Sequence, residues 1–152
     1  MPIKWDLSKL IDKKYRDLPL EEILKAPVHA IKGVSEKDAE LLKKALGIKT
    51  VKDLAESKYV AIAQAITMIS EFWEKALDKE FEAKSPKELV DAPVRALSGV
   101  TEEDEKLLTE ALNIKTIRDL ATNKFVFIAQ VLRGLANLEK ILEEMAKEEA
   151  KE

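Results

Sequence analysis

The chain contains no cysteine, so disulfides, thiolate nucleophiles and thiolate zinc sites are excluded. Glycine is scarce, with 4 in 152 residues; together with abundant Lys and Glu this resembles the composition of a thermophile's protein. No apolar run approaches the roughly 20 residues needed to cross a bilayer, so no membrane partner is expected. The opening residues MPIKWDLSKL have neither an apolar core nor a small-residue cleavage site. They do not read as a secretory signal, and the expected location is the cytoplasm. Positive charge in excess is also missing. The net charge is −3 and the isoelectric point is near 5.5. A general nucleic-acid coat would need a concentrated positive field to displace counterions.

Hydrophobic residues make up 46% of the chain and charged residues 36%, enough for a soluble globular fold with a core. The length suits one ordinary domain or two small ones sharing a core. An internal repeat favours the second arrangement. Ile31 to Gln64, IKGVSEKDAELLKKALGIKTVKDLAESKYVAIAQ, recurs without a gap as Leu97 to Gln130, LSGVTEEDEKLLTEALNIKTIRDLATNKFVFIAQ. Gly33 matches Gly99 and Pro27 matches Pro93, an offset of 66 residues. Ile11 to Tyr15 also matches Leu77 to Phe81, so the repeat reaches back to the N-terminal segment. The expected division is 1–76 for an N-terminal helix and first repeat, 77–142 for the second, and 143–152 for a charged helix end. Repeats whose edges lie inside helices stack around a continuous core.

Local signals predict an all-α chain. Leu7, Leu10 and Ile11 at helical spacing predict a short amphipathic helix over Trp5 to Lys14. Short helices follow at Leu20 to Leu24 and Pro86 to Val90, the second opened by the capping box Ser85-Pro86-Lys87-Glu88. Pro27 and Pro93 break them. Gly33 and Gly99 are expected at positive φ, which glycine adopts at little cost. Ser35 with Asp38, and Thr101 with Asp104, cap helices that run to Leu46 and Leu112 and end on Gly47 and Asn113. Thr50 and Thr116, each with Asp three residues on, start another short helix. A long helix then closes each copy, with an apolar face too wide for an ordinary surface helix. These two helices are expected to pack together at the centre or to form an oligomer interface, with Gly134 allowing close approach.

The residues Ile31-Lys32-Gly33-Val34, Ala39, Leu42, Gly47-Ile48, Thr50-Val51 and Asp53-Leu54-Ala55 resemble the helix-hairpin-helix superfamily. The likeness is strongest to the C-terminal repeats of the NusA transcription factor and more distant to the RNA polymerase alpha C-terminal domain. It covers about residues 11 to 142. It implies two tandem helix-hairpin-helix-like repeats whose hairpin amides, in nucleic-acid-binding members, meet a phosphate at a helix N-terminus. On this chain those positions are Gly33, Val34 and Ser35, and Gly99, Val100 and Thr101. Both copies lack the second hairpin glycine. Glu36 and Asp38, or Glu102, Glu103 and Asp104, stand in the first helical turn, where a phosphate would be repelled. The first copy alone keeps a basic face: Lys32, Lys37, Lys43, Lys44, Lys49 and Lys52.

No residue set points to catalysis, a metal, a cofactor or a small-molecule substrate. His29, the one histidine, matches Arg95 and is expected at the surface. Asp53 and Asp119 read as caps for Thr50 and Thr116. The acids are dispersed along capped helices instead of clustered as metal ligands. The expected function is therefore a non-enzymatic protein-interaction or adaptor module, with another protein or a second copy as partner. The competing reading is an accessory protein that binds DNA or structured RNA through the first hairpin and its lysines. Phe72, Trp73 and Phe127 are the candidate contact aromatics. Phe127 replaces Ala61 of the first copy and, in the simplest account, fills a larger C-terminal core.

Overall fold

Each glycine turn is closed over by an aromatic ring from the opposite half of the molecule. A Cβ at Gly33 would lie 2.7 Å from Phe125 Cε1, and one at Gly99 would lie 2.8 Å from the Tyr59 hydroxyl oxygen. Both glycines have φ of 96°. These contacts come from a computed structural model, which describes the backbone of residues 5–76 and 86–151 and the side chains of 5–71 and 88–150.

The described residues form eight α-helices and no strand: α1 (Leu20–Lys25), α2 (Glu36–Leu46), α3 (Val51–Glu56), α4 (Lys58–Ala76), α5 (Pro86–Val90), α6 (Glu102–Leu112), α7 (Ile117–Thr122) and α8 (Lys124–Lys151). A single 3₁₀ turn, Val28–Ala30 or Val94–Ala96, precedes each glycine turn. Local chemistry sets these boundaries. Capping boxes start α2, α3, α6 and α7, and left-handed Gly47 (φ 69°) and Asn113 (φ 57°) stop α2 and α6. The Ser85 capping box falls outside the described residues.

Prolines and short antiparallel bridges lock the connections. Pro27 pairs with Thr50 and Pro93 with Thr116. Their neighbours supply the ladder, with Val28 N donating to Lys49 O at 3.0 Å and Val94 N to Lys115 O at 2.9 Å. Proline suits such an edge because the missing amide is not needed there.

The expected helix over Trp5 to Lys14 does not form. Its backbone groups are used elsewhere: Asp12 N donates to Ala30 O and Lys32 N to Leu10 O, both at 2.9 Å, pairing Ile11 with Ile31. Leu7 and Ile11 are buried all the same. Their helical spacing reflects a turn at residues 8–10 followed by an extended residue. Hydrogen bonds from the Ser8 hydroxyl and amide hold the Asp6 carboxyl below its ordinary range. The matched segment 77–81 and the expected division near 76–84 lie, beyond Ala76, outside the described residues.

The long helices do not pack mainly on each other. α8 lies against α1 and α3 of the first half, while α4 lies against α5 and α7 of the second. Between them α2 packs on α6, and Lys37 reaches Glu110 at 3.5 Å. α4 and α8 meet at Gln64 and Gln130, whose amides exchange two hydrogen bonds of 2.8 Å; Gln64 Nε2 also donates to Ala121 O. The inward stripes are Val60, Ala63, Thr67 and Ser70 on α4, and Val126, Ala129, Leu132 and Ala136 on α8. The buried hydroxyls are satisfied within their own helix, Thr67 on Ala63 O and Ser70 on Thr67 O. One cluster of buried side chains runs from Leu7 to Ala136, so the two halves share a core.

Gly33→Ala combines a φ that alanine resists with a clash against Phe125, whereas Gly47→Ala meets open space. Urea unfolding should show a loss of about 2–3 kcal/mol for the first and about 1 kcal/mol for the second. Equal losses would mean that the Phe125 ring yields freely. In a Phe125→Ala background the Gly33→Ala change should cost less than it does in the native chain, the difference being the coupling between ring and turn.

Candidate interaction site

The hairpin positions that the resemblance puts forward as phosphate contacts are already occupied by the chain itself. Val34 and Val100 point inward and are buried. Ser35 N donates to Asp38 Oδ2 at 3.1 Å, and Asp38 N donates to Ser35 Oγ at 3.0 Å. In the second copy Thr101 N donates to Asp104 Oδ2 and Asp104 N to Thr101 Oγ1, at 3.0 and 3.1 Å. A carboxylate oxygen therefore sits where an incoming phosphate oxygen would bind, and it carries the same charge. Phe125 and Tyr59 cover Gly33 and Gly99, with Lys124 and Lys58 over those rings at 5.0 and 5.1 Å from their centroids. The same device closes the next helix of each half. Asp53 Oδ2 accepts from both Lys49 N and Thr50 N, and Asp119 Oδ2 from both Lys115 N and Thr116 N.

The six lysines of the first copy are all exposed. Among the described residues two are engaged: Lys32 Nζ donates to Ser8 O at 2.7 Å, and Lys37 pairs with Glu110. Glu36, Asp38 and Glu40 flank Lys37 in the first half of α2, while Lys43 and Lys44 stand together in its last turn. His29 is half-exposed, with its ring edge-on to Tyr15 at 6.3 Å. Arg95, its counterpart, pairs with Glu105 at 3.0 Å on the rim of a hollow of about 460 Å³ that is lined by charged residues and Thr109. Among the described residues no group of acids and histidine is arranged to hold a metal ion. None of the described helices is long and apolar enough to cross a membrane.

Phe127 corrects the expectation that it fills a larger core: it is 65% exposed. Its counterpart Ala61 is exposed too, so the position faces outward in both halves. Val126 and Ala129 beside it take the inward places. The other two candidate aromatics, Phe72 and Trp73, have side chains outside the described set.

Phe127 does not stand alone. Leu138, Ile141, Leu142 and Met145 are also large and exposed, at 40% to 51%. With half-buried Val131 and exposed Gly134 between them, the row Phe127, Val131, Gly134, Leu138, Ile141, Met145 steps by 4, 3, 4, 3 and 4 residues. That spacing keeps one face of a helix apolar along its length. Gly134 meets nothing within 4 Å, so the close approach expected there is not made among the described residues. The sequence carried this signal, but it merged with the inward stripe. An apolar face on each side of α8 reads as one wide face until the body is known to cover only one of them.

No known protein family, curated protein or solved structure matches this chain.

The carboxylates that close the helix starts should matter more than the hydroxyls that pair with them. Thr50→Ala should cost about 1 kcal/mol in urea unfolding, the ordinary loss of a cap. Asp53→Ala should cost more, because two amides lose their acceptor. A smaller loss for Asp53→Ala would show that water replaces the carboxylate.

Proposed function

We propose that this protein is a non-enzymatic interaction module, built of two helix-hairpin-helix-like repeats, that docks a protein partner on the outward apolar face of α8. The observation that carries this reading is the row of exposed large apolar side chains from Phe127 to Met145 on one helix face. Apolar residues scattered singly on a surface need no explanation. A row about 27 Å long at 1.5 Å per residue, joined between Phe127 and Leu138 by half-buried Val131 and by Gly134, marks a place where another surface removes it from water. Such a row is costly to leave in water, since burying one large aliphatic side chain is worth about 1.5–3 kcal/mol.

The competing reading, binding of DNA or structured RNA, would use the first hairpin and its lysines. Asp38 on the Ser35 amide, Phe125 over Gly33 and the acids Glu36, Asp38 and Glu40 at the start of α2 all count against it. In this reading the hairpins join helices and do not bind phosphate.

Fluorescence anisotropy with short duplex DNA and a structured RNA, at low and moderate salt, separates the two. Neither should bind in the micromolar range, even at low salt. Micromolar binding that weakens steeply with salt and is lost in a Lys43→Glu/Lys44→Glu variant would make nucleic acid the ligand and sink the docking reading.

A further inference from the structure

We propose that the partner on α8 is a second copy of this chain, with two α8 helices paired antiparallel about a point near Ala136. This rests on the reading of α8 as a docking face and adds its occupant and register. The 4-3-4-3-4 row is the seam of a helix that packs knobs into holes against another helix. It does not suit an extended peptide or a small molecule. α8 also extends past the body. Residues 141–150 are all exposed, and an isolated helical stretch of this length is marginal in water without tertiary packing.

Antiparallel pairing about position 136 makes the seam complementary to itself. Phe127 then faces the partner's Met145, a favourable sulfur–aromatic contact. Val131 faces the partner's Ile141. Leu138 enters the gap left by the partner's Gly134, which is open within the chain. At the rim Lys124 faces the partner's Glu148.

Charge selects the same direction. From Lys124 to Leu138 the helix carries no acid and two cations, Lys124 and Arg133, the second paired with Glu56 at 3.6 Å, while from Glu139 to Lys151 it carries five glutamates against three lysines. Antiparallel pairing lays the acidic half of each helix on the basic half of the other and opposes the two helix dipoles. A parallel pair would place Lys124 on Lys124 and Glu148 on Glu148. It would also set Gly134 against Gly134, leaving a hole in the seam.

The absence of cysteine makes the test clean. Sedimentation velocity of the full chain from about 1 to 200 μM should show a dimer. Leu138→Glu should leave a monomer that still unfolds cooperatively in urea, with far-UV circular dichroism reduced by no more than the fraying of residues 141–150. Single-cysteine variants Phe127→Cys and Met145→Cys should form a disulfide-linked dimer when mixed under mild oxidation, and little when oxidised separately. Lys124→Glu should weaken the dimer roughly tenfold, and adding Glu148→Lys should restore it, since each dimer contains two such pairs.

A chain that stays monomeric at 200 μM overturns self-pairing. Efficient crosslinking of Phe127→Cys with itself, or a charge swap that fails to restore the dimer, overturns the antiparallel register. Failure of the docking reading has a different signature, the salt-dependent nucleic-acid binding that Lys43→Glu/Lys44→Glu abolishes.

Discussion

Everything in this fold depends on a reciprocal exchange: each half's long helix closes the other half's core. α8 covers α1 and α3, and α4 covers α5 and α7, with α2 against α6 between them. The physical reason is size. A unit of 66 residues with five- and six-residue helices has little apolar surface to gather around itself. By lending its longest helix, each half gains a wall it could not build locally. The Gln64–Gln130 pair sits where the two loans cross, and each amide there satisfies the other.

The same economy governs charge. Asp38, Asp53, Asp104 and Asp119 each stand at the positive end of a helix and accept from backbone amides that would otherwise need water or a ligand. A helix start with its own carboxylate is complete. This separates a hairpin used for architecture from one open to an outside anion, and it turns attention from the turns to the sides of the long helices.

What could be read from the sequence was whatever is decided within a few residues. Ser35 with Asp38, Thr50 with Asp53, the left-handed Gly47 and Asn113, and the positive φ of Gly33 and Gly99 are all local bargains, and each appears where expected. Structure departs from local pattern where a distant segment decides. Leu7, Leu10 and Ile11 have helical spacing, but Ile31 takes the backbone bonds that a helix would need. Phe127 resembles its core neighbours in type, but which side of α8 meets the body is set by α1 and α3, roughly 70 to 100 residues earlier. No periodicity within α8 can say which of its two apolar faces is covered.

The exchange also sets an order of events during synthesis. The first half can form its caps and turns as it leaves the ribosome, but the wall over α1 and α3 is α8, which must be made and carried back across the whole molecule. Until then Leu20, Ile23, Val51 and Leu54, all buried in the finished protein, have no long helix to lie against. Contacts of such long sequence separation fold slowly, because the loop must close before any contact rewards it. For this chain the ring of Phe125 over Gly33, which spans 92 residues of sequence, is a contact that cannot close until α8 has been made.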